Sequence, residues 1–219
     1  MGRSQGNQTA VWRLIEAAQG GEADAVRELV LMYQDRLRTF LLRMVNNYHD
    51  AEEIAQETFI AAISALGRYR REFRFTTWLY TIAYRRAVNH IKTNRRRKVV
   101  SLEFMPEAAV AEPAILDSIA SIDAAQMLRD HVWREVRKLS VNQRAAVWFH
   151  YHEQMPIDQI AEVLSTPVST VKSHLFRGRA ALRKALGPMV ARLDDLASST
   201  IAAQNTTQEN AMGSNDVQS

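Results

Sequence analysis

The sequence predicts an all-α protein of two small helical domains joined by a flexible linker. Ala, Leu, Glu, Arg and Gln dominate most of the chain, strand signals are weak throughout, and glycine contributes only 8 of 219 residues. The helical pattern lapses once, between residues 98 and 122. With 47% hydrophobic residues, the chain is long enough to bury a core.

Four helices are predicted in an N-terminal domain that covers residues 1–97. Glycines follow the first and the third helix, and a loop with the sequence GRYRREFRFT leads into the fourth. The predicted ranges, in chain order, are Thr9–Gln19, Ala23–Asn46, His49 to the residue before Gly67, and Thr77–Asn94.

Residues 98–122 are predicted to form the linker, because two prolines interrupt a run of acidic and small residues. Helices resume in a C-terminal domain of residues 123–190 and are expected to end at Leu186, since Gly187 and Pro188 break the pattern. The last twenty or so residues are polar and lack Lys and Arg, so residues 191–219 are predicted to be a disordered tail.

Two basic segments flank the acidic linker. Between Arg68 and Lys98 there are 11 Lys or Arg and one acid, and between Val168 and Lys184 there are 5 basic residues and no acid. This distribution predicts two contact regions for a polyanion. Two ordinary solvated helix faces are the alternative.

The chain has no cysteine, which excludes disulfides and thiol chemistry and suits a reducing compartment. The N-terminus contains no apolar run long enough for a signal peptide, and no stretch approaches the ~18 apolar residues of a membrane span. We therefore expect a soluble, cytoplasmic protein without membrane insertion.

The segment MPIDQIAEVLSTPVSTVKSHLFRGRAALRKAL is typical of a helix-turn-helix. Its first helix begins near Pro156 and its second follows Pro167, each with a single apolar stripe. The opposite face of the second helix carries basic, hydroxyl and aromatic side chains, the groups that read bases or bind phosphates in a major groove. These candidate residues are Ser169, Lys172, Ser173, Phe176 and Arg177. A generic three-helix packing unit with a basic face is the alternative.

In the third predicted helix, Asp50, Glu53 and Glu57 form a narrow carboxylate stripe opposite the apolar face. A DNA-binding protein should not direct acids toward DNA, so the stripe favours a basic protein partner. A solvated face is the alternative. A carboxylate metal cluster with His49 is disfavoured, because the Glu-x-x-His pairs of such sites are absent.

In the fourth predicted helix, Trp78 lies on the same side as Arg85, Asn89 and Lys92. Basic groups neutralise phosphates and aromatic rings stack on unpaired bases, so this face suits single-stranded or locally opened DNA. Burial of Trp78 against the preceding loop is the alternative.

These segments resemble the bacterial extracytoplasmic-function sigma factors of the sigma-70 family. DAEEIAQETFIAA is similar to the region-2 motif that docks on RNA polymerase, and FRFTTWLYTIAYRRAVNHIKTNRRR is similar to the melting and minus-10 segments. LSVNQRAAVWFHYHEQMPIDQIAEVLSTPVSTVKSHLFRGRAALRKAL is similar to region 4, which reads the minus-35 element. The resemblance covers about residues 23–186.

The resemblance implies a transcription initiation factor, not an enzyme, with core RNA polymerase, duplex and single-stranded promoter DNA and an anti-sigma factor as partners. The carboxylate stripe would face the polymerase clamp, and the second helix of the helix-turn-helix would enter the minus-35 major groove. The minus-10 and melting residues would be Phe73, Phe75, Trp78, Arg85, Asn89 and Lys92. No cofactor is expected, and His150 and His152 without further ligands make a metal site improbable.

Two other classes of function are a stand-alone DNA-binding regulator and an enzyme that acts on nucleic acid. A stand-alone helix-turn-helix regulator would bind duplex DNA without polymerase, but it would need neither the carboxylate stripe nor the Trp-basic helix. An enzyme acting on nucleic acid would need nucleophiles, metal-spaced acids or a phosphate-binding Gly loop, and the sequence offers none of these.

Overall fold

The computed structural model describes residues 2–70, 72, 74–100 and 120–213. This part of the chain is helical and contains no strand, which confirms the all-α prediction. An N-terminal module holds four helices. They are α1 (Gly2–Gln19), α2 (Ala23–Val45), α3 (Tyr48–Ala65), which a short 3₁₀ turn follows, and α4 (Phe75–Val100).

Local signals set the helix boundaries in the N-terminal module. Asn46 ends α2 in the left-handed conformation (φ 57°), which Asn tolerates better than most residues. The Asn47 side chain then accepts a 3.0 Å hydrogen bond from the Asp50 amide and caps α3. Because one residue ends a helix and the next begins another, α2 and α3 form a tight antiparallel pair.

A C-terminal module holds the remaining four helices. They are α5 (Ala120–Lys138), α6 (Val141–Val147), which continues into a π-helical turn at Trp148–His152, α7 (Ile157–Leu164) and α8 (Val168–Gly213). Ser140 and Gln143 form a capping box at the start of α6. A Cβ on Gly178 would lie 3.1 Å from Val147 Cγ2, so glycine allows the close approach of α8 to α6.

Several boundaries differ from those that the sequence predicts. Helix α4 extends to Val100 and α5 starts at Ala120, so both ends of the predicted linker are helical, while its centre lies outside the described residues. Helix α8 continues through Pro188 to Gly213, so the predicted tail is helical rather than disordered up to that residue. Proline removes one backbone hydrogen bond and can kink a helix without ending it. The Ala- and Leu-containing sequence beyond it favours helix.

The two modules pack against each other, an arrangement that the sequence does not predict. Helix α4 lies along α7, and Phe40 of α2 contacts Phe149 of the C-terminal module with ring centroids 4.9 Å apart. Both rings are 0% exposed. Tyr80 of α4 completes this aromatic group, 5.3 Å from Phe40 and 5.2 Å from Phe149. The buried core is therefore continuous across the modules.

Candidate functional site

The second helix of the helix-turn-helix, the first part of α8, presents its candidate residues to solvent. Val171 and Leu175 are buried at 0% and 4% exposure and hold the helix against the module. The opposite face is exposed, and Phe176 is 68% exposed. The exposed set is the one that the sequence predicts: Ser169, Lys172, Ser173, Phe176 and Arg177.

The turn that orients this face is short. Ser165 ends α7 in the left-handed conformation (φ 51°), and Pro167 precedes α8. His174, which the sequence did not single out, lies at the edge of the exposed face with a buried Nδ1 that makes no hydrogen bond. Burial, and then the neighbouring Arg177 charge, lower the pKa of His174 below its usual value. His174 is therefore neutral at neutral pH.

Glu53 and Glu57 of the carboxylate stripe (Asp50, Glu53 and Glu57) line a polar groove between α3 and α4. Two of its acids contact basic groups of α4. His90 Nε2 lies 2.9 Å from Asp50 Oδ2, and Arg86 Nη1 lies 2.5 Å from Glu57 Oε2. Glu53 is exposed. The sequence pattern of α3 alone could not show that α4 partly neutralises the stripe.

On α4, Arg85, Asn89 and Lys92 are exposed, as expected of residues that contact a nucleic acid. Asn89 lines the groove between α3 and α4. Arg85 Nη2 lies 3.2 Å from Ser165 Oγ, so this side chain reaches the turn between α7 and α8. The sequence did not predict that a minus-10 candidate touches the helix-turn-helix.

The aromatic candidates are less exposed than the basic ones. Trp78 is half-buried, and its ring centroid lies 4.9 Å from Tyr69 of the preceding loop and 5.5 Å from Phe75. Phe75 is only 7% exposed and packs on Tyr33 of α2, so in this conformation it is a core ring and not a free stacking surface. Phe73 lies outside the described residues.

The two histidines near the π-helical turn have local ring partners. His152 stacks on Trp148 with centroids 3.8 Å apart, and His150 contacts Tyr151 edge to face. Among the residues that the structure describes, no three His, Cys, Asp or Glu side chains converge so as to hold a metal ion. No described helix is both long and apolar enough to cross a membrane.

Comparison with known proteins assigns the family. The profile of sigma-70 region 2 matches residues 29–97, and that of sigma-70 region 4 matches residues 129–182. The RNA polymerase sigma-H factor of Pseudomonas aeruginosa is 37% identical over 183 residues, which cover 81% of this chain and 94% of that protein. The chain belongs to the sigma-70 family of RNA polymerase sigma factors. The recognition made from its motifs is thereby confirmed.

Other relatives place this sigma factor in the extracytoplasmic-function group. The extracytoplasmic-function sigma factor SigW of Bacillus subtilis is 30% identical and covers 78% of this chain and 94% of its own length. The sigma-E factor of Escherichia coli is 29% identical, covering 82% and 95%. The matches to both regions show that this sigma factor serves transcription initiation in a stress or signal response.

Solved structures share the fold. RpoE of Bartonella quintana, in complex with the anti-sigma factor NepR, superposes with a TM-score of 0.61 at 20% identity, over 74% of this chain and 96% of that one. CnrH, in complex with the cytosolic domain of CnrY, gives a TM-score of 0.57 at 21% identity, over 80% and 96%. These two structures show that the chain shares the helical fold of RpoE and CnrH.

Proposed function

We propose that this sigma factor divides promoter recognition and polymerase binding among three surfaces. The exposed face of α8 reads the minus-35 element, the Trp78–Lys92 face of α4 holds the opened minus-10 strand, and the carboxylate stripe docks on core RNA polymerase. The observation that carries the proposal is the solvent exposure of all five α8 candidates on a helix whose opposite side is fixed in the core. The role is one of binding and not of catalysis.

The chemistry of the α8 face supports major-groove reading. Arg177 and Lys172 match the acceptor pair of guanine or a phosphate, the serines suit either target, and the exposed Phe176 ring suits a thymine methyl. The Phe176 ring is 68% exposed and lies among the basic and hydroxyl side chains of this face, so a thymine methyl in the groove could reach it. Since His174 stays neutral, the positive charge of this face comes from its Lys and Arg residues alone.

The proposal includes an anti-sigma factor as a partner and the cytoplasm as the place of action. The shared fold with RpoE, which was solved in complex with the anti-sigma factor NepR, supports the first. A protein that binds core polymerase and promoter DNA acts where transcription takes place, which supports the second.

Arg177→Ala and Lys172→Ala are each expected to weaken binding to a promoter duplex that contains the minus-35 element. Loss of a base contact should cost about 1–3 kcal/mol and relax preference at one base pair, whereas loss of a phosphate contact should weaken all sequences alike and reduce the salt slope by about 1. Fluorescence anisotropy on specific and scrambled duplexes at several salt concentrations measures both. Arg27→Ala, an exposed change on α2, is the control. Affinity at the level of the control for both variants would contradict the proposed reading face.

Trp78→Ala is expected to slow promoter opening more than it destabilises the protein. Because the ring is half-buried, truncation should cost less than the about 3–5 kcal/mol of a fully buried Trp. Permanganate reactivity of thymines should fall on duplex templates and recover on templates with a premelted bubble. Trp12→Ala is a matched control, since Trp12 of α1 is also half-buried and stacks on the same Tyr69 ring. Equal defects on both templates would make Trp78 a core residue.

A further inference from the structure

The C-terminal module buries an arginine that has no partner among the residues that the structure describes. Arg144 of α6 is only 8% exposed, and its Nε is buried without a hydrogen bond. No described carboxylate pairs with its guanidinium group. The capping box of Ser140 and Gln143 fixes the first turn of α6, and the Arg144 amide donates to Ser140 O at 2.9 Å. The backbone and the packing of α6 therefore set the position of Arg144.

An unpaired guanidinium group in the interior of a protein is unfavourable. Arginine stays protonated in proteins, so Arg144 cannot avoid the cost of burial by losing its charge. A buried charge without a counter-charge lowers the stability of the fold, because water no longer solvates it. An anion that binds beside Arg144 removes this cost.

Two further arginines place positive charge beside Arg144. Arg137 belongs to the last turn of α5, just before α6 begins. Arg95 shares one face of α4 with Tyr84, whose Oη donates to Asn142 Oδ1 of α6 at 2.8 Å. Burial, and then the charges of Arg95 and Arg137, lower the pKa of Arg144. Three helices therefore bring positive charge to one place.

The depth and the charge of these side chains match a terminal phosphate group. Arg144 forms a buried floor, and Arg95 and Arg137 are exposed at its rim. A guanidinium group donates two parallel hydrogen bonds to phosphate oxygens. A terminal phosphate carries about 1.5–2 negative charges and three acceptor oxygens, so it can bind several guanidinium groups at once. A phosphodiester in a nucleic-acid backbone carries one charge and a sugar on each side, which suits a recessed site less well.

We propose that Arg95, Arg137 and Arg144 form a binding site for the terminal phosphate of a small molecule, such as a nucleoside diphosphate or inorganic diphosphate. The phosphate supplies the counter-charge that Arg144 lacks, and it links α4 to α5 and α6. The site uses no residue of the three surfaces proposed above, so it does not depend on their roles.

Titration calorimetry of the full-length protein with inorganic diphosphate, at constant ionic strength and without divalent cations, tests the site. Arg144→Met should bind diphosphate about 10–100-fold more weakly, the loss expected for hydrogen bonds to a charged group. Diphosphate should also raise the melting temperature of the wild type and not that of Arg144→Met. Without diphosphate the variant should melt no lower than the wild type, because it buries no unpaired charge. If Arg144→Met does not fold, Arg144→Lys keeps the charge but loses the fork, and its diphosphate affinity should still fall.

The rim is tested with neighbouring residues of α4. Arg95→Gln should weaken diphosphate binding by about 2–5-fold, since its guanidinium group is exposed. Arg96→Gln is the matched control, because it removes the same charge from the next exposed position of the helix. Its affinity for diphosphate should stay at the wild-type level.

Three results would overturn the inference. The first is the absence of binding to the wild type at millimolar diphosphate. The second is wild-type affinity in folded Arg144 variants, or equal losses in Arg95→Gln and Arg96→Gln, which would show only a general attraction to basic side chains. The third concerns a single-stranded oligo(dT) without terminal phosphates. If Arg144→Met weakens its binding as much as that of diphosphate, the site holds a nucleic-acid backbone and not a small molecule.

Discussion

Changing Asp50, Glu53 and Glu57 together to Lys is expected to weaken binding of this sigma factor to core RNA polymerase by about 10³-fold, because like charges facing across an interface cost several kcal/mol. Binding of the α8 face to duplex DNA should change little. Affinity for core polymerase is measured with labelled protein by titration, and duplex binding by anisotropy.

The contacts inside the protein determine the controls for this experiment. Glu57 lies against Arg86 and Asp50 contacts His90, so reversal of Glu57 also places two positive charges together within the N-terminal module, and reversal of Asp50 removes a contact there. The single change Glu53→Lys avoids that effect and should show part of the loss. Reversal of three exposed acids of α2, Asp24, Glu28 and Asp35, gives the same change in net charge on another surface. Wild-type affinity in the stripe variants, or an equal loss in the α2 variant, would show that the stripe is only a solvated face.

Phe40→Ala is expected to lower the free energy of unfolding by about 3–5 kcal/mol, the range for removing a fully buried aromatic ring. Phe40 is 0% exposed and contacts three rings: Tyr80 of α4, and Trp148 and Phe149 of the π-helical turn. Urea denaturation followed by Trp fluorescence measures the loss. Phe40→Leu, which keeps most of the volume, should cost less than about 1.5 kcal/mol.

A double-mutant cycle with Phe149 tests whether the modules pack together in solution. Side chains in contact usually show coupling energies of about 0.5–3 kcal/mol, whereas distant ones are additive. The rings of Phe40 and Phe149 are 4.9 Å apart but belong to different modules. Additive losses for Phe40→Ala and Phe149→Ala would contradict the continuous core.

The positions of the helices could be predicted largely from local sequence. Apolar spacing and capping residues act within a few positions of the helix that they define, so α2 and α3 begin and end within a few residues of the expected positions. The outward face of α8 was predictable for the same reason, because Val171 and Leu175 fix which side is buried. Pro188 misled the prediction, since proline weakens a helix without always ending it.

The partners of the candidate residues could not be predicted, because they come from other helices. Nothing near Asp50 in the sequence indicates His90, and nothing near Arg85 indicates Ser165, 80 positions away. The sequence pattern also predicted that Trp78 lies on the basic side of α4. It could not show that Tyr69 and Phe75 cover part of the Trp78 ring.

The sequence by itself determined two helical modules, the helix-turn-helix and the family, since these depend on periodicity and on motifs that are contiguous in the chain. Only the tertiary structure decided that the modules close on each other and that Glu153 lies buried against Arg36. Whether such a contact is buried depends on which surfaces pack against each other and exclude water. That property belongs to the packed core around Phe40, Tyr80 and Phe149 and not to any segment of the sequence.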